Sequence, residues 1–145
     1  MSLSDWVKNG WLVVHKTSPQ EIKDLLGVTE RDLRDCATRG LSDDWRLAIA
    51  YNAALQCATA ALAASGFRAT RDAHHFRIIQ SLSFTLGLET TQVGLLDVFR
   101  KKRNICDYER AGAVSAAEAN EIASLARALR QRLEAWLSQN HPELL

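Results

Sequence analysis

The stretch "DDWRLAIAYNAALQCATAALAAS", Asp43 to Ser65, decides the fold. It carries no proline or glycine until Gly66 stops it, and Tyr51, Leu55, Ala58 and Leu62 recur at i, i+4, i+7 and i+11, the spacing of a buried helical face. Alanine fills much of the remaining surface and lets neighbouring helices approach closely, so this segment is expected to be the central helix of a bundle. Ser42 is placed to cap it, and Asp43 and Asp44 in the first turn suit the positive end of the helix dipole.

Working outward towards the N-terminus, Ser18-Pro19-Gln20-Glu21 combines a serine N-cap, a proline at the first helical position and a glutamate spaced for a capping box. Ile22, Leu26, Leu33 and Cys36 fall near one face, Gly27 weakens the middle, and the helix is expected to reach about Arg39 before Gly40-Leu41-Ser42 turns the chain. Towards the C-terminus, the polar turn "FRATRD" leads into "AHHFRIIQSLSFTLG", where His75, Ile79, Leu82 and Leu86 form a stripe ending at Gly87. A fourth helix starts near Thr90 or Thr91, turns Val93, Leu96 and Phe99 to the core, and stops around Gly112. Ser115 and Glu118 form a second capping box, and Ile122, Ala126, Leu129, Leu133 and Trp136 or Leu137 mark a fifth helix that Pro142 ends. No alternating strand pattern appears. The expectation is an all-α, antiparallel up-and-down bundle of about five helices over residues 18–145, preceded by an N-terminal arm at 1–17.

At 145 residues the chain suits one domain, and its formal net charge of +1 means that any attraction for nucleic acid must come from a local patch. Cys36, Cys57 and Cys106 are widely spaced with no Cys-x-x-Cys pair, which predicts reduced, buried thiols in the cytoplasm. The start "MSLSDWVKNGWLVVHK" lacks a basic region followed by a long apolar run, and no segment approaches the roughly 18 uninterrupted apolar residues of a membrane span, so no membrane partner is expected. There is no P-loop, dinucleotide glycine motif or carboxylate cluster suited to a metal, and no cofactor is expected.

Chemistry concentrates in "RKKRNICDYE", Arg100 to Glu109. On a helix Arg100, Asn104, Asp107 and Tyr108 share one side, and Arg103 lies one turn before Asp107. The bland reading solvates Lys101 and Lys102, bonds Arg103 to Asp107 and lets Tyr108 seal the core. A second polar stripe, Asn52, Gln56 and Thr59, lies within the alanine-rich helix and predicts either a buried network or the lining of a groove. Trp6 and Trp11 in the arm are candidates for stacking bases, or for folding back over the bundle or a partner subunit.

The string "RKKRN" followed by "DYE", downstream of "DDWRLAIAYNAALQCATAAL" and "AHHFRIIQSL", resembles the HEPN superfamily of small helical domains over roughly residues 41–137. That resemblance implies a homodimer, an RNA or nucleotide ligand, and in catalytic branches metal-independent RNA cleavage by an arginine, a polar residue and a histidine four to six positions on. It also implies a possible toxin–antitoxin setting, with a nucleotidyltransferase-type antitoxin as partner protein. Arg103 matches the arginine and Asn104 the polar residue, but Tyr108 holds the histidine's place. A phenol titrates near 10 where an imidazole titrates near 6.5, which makes Tyr108 a reluctant base.

The resemblance therefore points to a binding module: Arg100, Lys101, Lys102, Arg103 and Asn104 for phosphate, with Asn52, His74 and Asp107 in support. The alternatives are a ribonuclease using Arg103 with Tyr108 or a recruited His74, and a structural protein–protein interaction domain. His74 and His75 point about 100° apart on a helix and cannot form the i, i+4 pair of zinc helices. His75 shares the apolar stripe and reads as a core histidine, leaving His74 to face the polar groove.

Overall fold

The computed structural model describes residues 1–108 and 112–145, with side chains described for all of these except 106–108. In chain order the elements are α1 (Leu3–Lys8), β1 (Leu12–Val14), α2 (Pro19–Asp35), α3 (Asp43–Ala64), β2 (Phe67–Ala69), α4 (His74–Thr85), α5 (Thr90–Tyr108) and α6 (Ala116–Asn140), followed by a 3-10 turn at Pro142–Leu144.

The alanine-rich stretch is the central helix. α3 packs against α2, α4, α5 and α6, and Leu47, Ala50, Tyr51, Ala53, Ala54, Cys57, Ala58, Ala60 and Ala61 lose all contact with solvent. Small side chains on several faces make this possible, because each methyl keeps a neighbouring helix close without leaving a void. Among the described residues it is the one helix long and apolar enough to cross a membrane, and 72% of its most apolar window is buried inside the bundle. The flanking helices turn their predicted stripes inward: Ile79 and Leu82 from α4, Val93, Leu96 and Phe99 from α5, and Ile122, Ala126, Leu129, Leu133 and Leu137 from α6 are buried. Ser42 accepts from the Trp45 amide, and Ser115 and Glu118 complete a reciprocal capping box at the start of α6.

Two expectations need correction. The first concerns strands: Leu12–Val14 pairs antiparallel with Phe67–Ala69, with Leu12 opposite Ala69 and Val14 opposite Phe67. Three residues per strand are too few to display alternation in a sequence. The ribbon forms because Gly66, at φ +98°, reverses the chain after α3 and offers its carbonyl to the His15 amide at 2.8 Å.

The arm takes the second of the roles read for it in the sequence, folded back over the bundle. Trp6 is buried, edge-on to Trp11 at 5.7 Å and to Phe84 at 5.2 Å between ring centroids, and Leu12 of the ribbon is buried. The second correction concerns α2, which ends at Asp35 instead of near Arg39 and passes through Gly27 without a break. Ser18 caps it by accepting from the Glu21 amide. The Glu21 carboxylate does not return the bond; it accepts from the Thr17 hydroxyl at 2.6 Å and pairs with His15 at 2.8 Å, fastening the arm to the bundle.

Candidate nucleic-acid interface

Leu96 and Phe99 fix the orientation of α5 by burying their side chains against α3 and α4. Arg100 and Arg103 follow them at i+4, so both guanidiniums emerge at the margin of the core, half-buried, while Lys101, Asn104 and Ile105 face outward. Each arginine meets an aromatic ring: the guanidinium carbon of Arg103 lies 5.7 Å from the centre of Tyr51, and that of Arg100 lies 5.5 Å from the centre of Phe76. The pattern continues on α4, where Arg77 sits 5.5 Å from Phe76 and 3.6 Å from Trp11. Trp11, Arg77, Phe76 and Arg100 thus alternate ring and cation in space, and Tyr51 with Arg103 stand alongside.

Acidic residues neutralise part of the cation run. Asp97 accepts from Arg100 Nε at 2.7 Å and lies 3.5 Å from the Lys101 ammonium, while Lys102 pairs with Glu118 at 3.1 Å. The Lys102 contact, together with the Ser115 capping bonds that come first, holds the Glu118 carboxyl below its usual range. Arg77 differs from its neighbours: it has no carboxylate partner among the described residues, and its Nε is buried without a hydrogen-bond acceptor.

Tyr51 is fully buried beneath this cluster, and its hydroxyl has no hydrogen-bond partner among the described residues. Burial pushes the phenol up to about 12, outweighing the pull of Arg100 and Arg103, so it stays protonated at any physiological pH. His75 lies beside it at 6.4 Å between ring centroids. Burial foremost, then the positive charges of Arg103, His74 and Arg100, hold His75 below its ordinary value, and the imidazole is neutral at pH 7.

Two of the supporting residues named from sequence stand elsewhere. Asn52 faces α2, where its amide donates to Asp32 at 2.6 Å; Gln56 donates to Asn52 at 3.4 Å, and Arg31 closes the far side of Asp32 at 3.0 Å. This is the network alternative for the polar stripe, and it arises because α2 turns Thr29 and Asp32 inward among its apolar residues. Thr59 donates to the Leu55 carbonyl of its own helix at 2.8 Å.

His74 is exposed and lines a different cleft, of about 200 Å³, with His15, Glu21 and Arg68. The 100° step between adjacent helical residues therefore places His75, not His74, near the Tyr51 ring and within range of the Arg103 charge. Asn104 is exposed, and among the described residues its side chain makes no hydrogen bond. The side chains of Asp107 and Tyr108 lie outside the described residues.

Sequence reasoning missed Phe76 and Arg77. Their signal was present as "HHFR", an aromatic and a cation on successive positions of α4, but it gains meaning only once the arm brings Trp11 onto Arg77. Among the described residues no three His, Cys, Asp or Glu side chains gather as metal ligands. The chemistry the cluster offers is therefore planar cations and ring faces at a half-buried surface, with a neutral imidazole beside them. No protein-family model matches the chain, and no curated protein matches it either.

Proposed function

We propose that this protein is a HEPN-like binding module for RNA or a nucleotide-bearing partner, with the ligand held on the α4–α5 surface. The observation that carries the reading is the alternation of Trp11, Arg77, Phe76 and Arg100, with Arg103 on Tyr51. Nucleobases stack on rings and on guanidinium planes, and phosphates take the same guanidiniums edge-on through their forked donors. Asp97 fixes Arg100 in place, whereas no carboxylate among the described residues competes for Arg77, which leaves its guanidinium for a phosphate. A homodimer fits the same helix, because Val98 is 55% exposed and Ile105, two turns on, is 37% exposed on the outer face of α5.

Filter binding of a single-stranded RNA tests the ligand. Arg77→Ala and Arg103→Ala are each expected to weaken binding at least tenfold and to flatten its salt dependence. Affinities equal to wild type in both variants exclude the reading.

A second reading, a metal-independent ribonuclease, is favoured by His75. A neutral imidazole beside Arg103 supplies the base that Tyr108 cannot, able to accept a proton from a ribose 2′-hydroxyl while the arginines hold the phosphate. RNA cleavage in EDTA that disappears in His75→Ala supports the enzyme; RNA left intact by wild type leaves the binding module.

A further inference from the structure

On the opposite side of α3 from the arginine–aromatic cluster's helices, the end of α2, the first turn of α3 and the start of α6 enclose a cleft of about 410 Å³ lined by Cys36, Ala37, Arg46, Asn120, Ser124 and Arg127. Asn120, Ser124 and Arg127 stand at i, i+4 and i+7 on α6, so one helical face presents an amide, a hydroxyl and a guanidinium together. Arg46 reaches the same space from α3. Its Nη1 donates to Asp43 at 3.1 Å and its Nη2 to Asn120 Oδ1, which fixes the guanidinium and leaves the Asn120 amide nitrogen as a further donor.

No carboxylate lines the cleft among the described residues, and Arg127 has no acidic partner there. Both guanidiniums act on the cleft floor. Burial raises the Cys36 thiol above its ordinary value, and the two largest opposing influences are the charges of Arg127 and Arg46. Asp32 lies close enough to act on the same thiol in the opposite sense, but its carboxylate is engaged by Arg31 and Asn52. The result is a half-open polar cleft in which exposed Asn120, Ser124 and Arg127 face the more buried Arg46, with alanine and thiol surface beneath, within the size range of small-molecule sites.

We propose that this cleft is a second, anion-binding site, which takes a small organic molecule through a phosphate or carboxylate group held between Arg127 and Arg46, with Asn120 and Ser124 as additional donors. It is independent of the α4–α5 surface and shares no residue with it.

The test is a titration of the full-length, isotope-labelled chain followed by amide NMR, with inorganic phosphate and succinate as separate probes at constant ionic strength and chloride as the control. Saturable shifts at Cys36, Ala37, Asn120 and Ser124 are expected, and the probe that binds more tightly identifies the group the site prefers. Arg127→Gln should weaken binding by roughly tenfold or more, the loss of a charge-assisted contact. Arg103→Ala should leave it unchanged, which separates this site from the proposed RNA surface. If Arg127→Gln disturbs the fold, Ser124→Glu, which places a carboxylate at the exposed rim, should abolish binding with the spectrum otherwise intact. Shifts that are absent with both probes, that do not saturate beyond the chloride control, that map to residues 100–105, or that survive both substitutions overturn the proposal.

Discussion

The guanidinium carbon of Arg77 lies 3.6 Å from the centre of the Trp11 ring, close enough for the cation to rest flat against the indole. This contact joins the N-terminal arm to α4, and it places Trp11, one of the three rings of the Trp6, Trp11 and Phe84 cluster, against a charge that no described carboxylate neutralises. Arm and bundle thus share one surface, and the arm's position depends on a residue far away in sequence.

Arg77→Ala should therefore act on stability as well as on any ligand. A half-buried cation–π pair contributes about 1 kcal/mol, and truncation also removes the stem that covers the indole. Urea unfolding followed by tryptophan fluorescence should show a lower midpoint, with a changed native emission as Trp11 becomes more exposed. An unchanged midpoint and spectrum would show that the stack does not hold the arm.

Asn52→Ala tests the polar network on the other side of α3. Asp32 is buried and accepts from Asn52 at 2.6 Å; without the amide, one carboxylate oxygen loses its partner inside the helix interface. A stability loss of roughly 1–3 kcal/mol is expected, the cost of leaving a buried acceptor unsatisfied. RNA affinity should not change, since Asn52 faces α2. A drop in affinity at unchanged stability would return Asn52 to the binding surface.

The contrast between Asn52 and Arg103 shows how far the sequence could be read. Helical periodicity places Tyr51, Leu55, Ala58 and Leu62 on a buried face, and all are buried, because a 3.6-residue repeat expresses a local geometry that survives packing. Which partner a polar residue meets is a different kind of fact. Asn52 meets Asp32, and His75 meets Tyr51, only through the angles at which α2 and α4 cross α3. The ribbon was hidden for a related reason: its strands are three residues long and are paired by a contact between segments far apart in the chain.

Tyr51→Phe offers a test with the opposite sign. The phenol is fully buried and its hydroxyl has no hydrogen-bond partner among the described residues, so the group carries a desolvation cost that no bond to them compensates. Phenylalanine keeps the ring beneath Arg103 and removes the oxygen. Thermal unfolding should occur at the same temperature or slightly higher, a change within about 1 kcal/mol of zero on the stabilising side. A marked loss of stability would mean that the hydroxyl is bonded in solution.

His75 supplies the pH dependence. Its folded-state value lies below the ordinary 6.5, held down by burial first and then by Arg103, His74 and Arg100, so the folded protein binds fewer protons than the unfolded chain as pH falls past that value. The contribution is therefore fully present above about pH 6.5 and is lost as pH drops through the lower folded value. Urea unfolding of wild type and His75→Gln between pH 7.5 and 5 should show a decline in wild type that the variant lacks. Carboxylates whose values are depressed, such as Glu21 and Glu118, titrate below 4.5 and are common to both proteins, so the difference isolates the imidazole. RNA should reverse the shift. A phosphate bound at Arg103 adds negative charge close to His75 and raises its value, which an imidazole proton resonance followed through a pH titration reads directly. If saturating RNA leaves that titration where it was, the phosphate does not sit at Arg103.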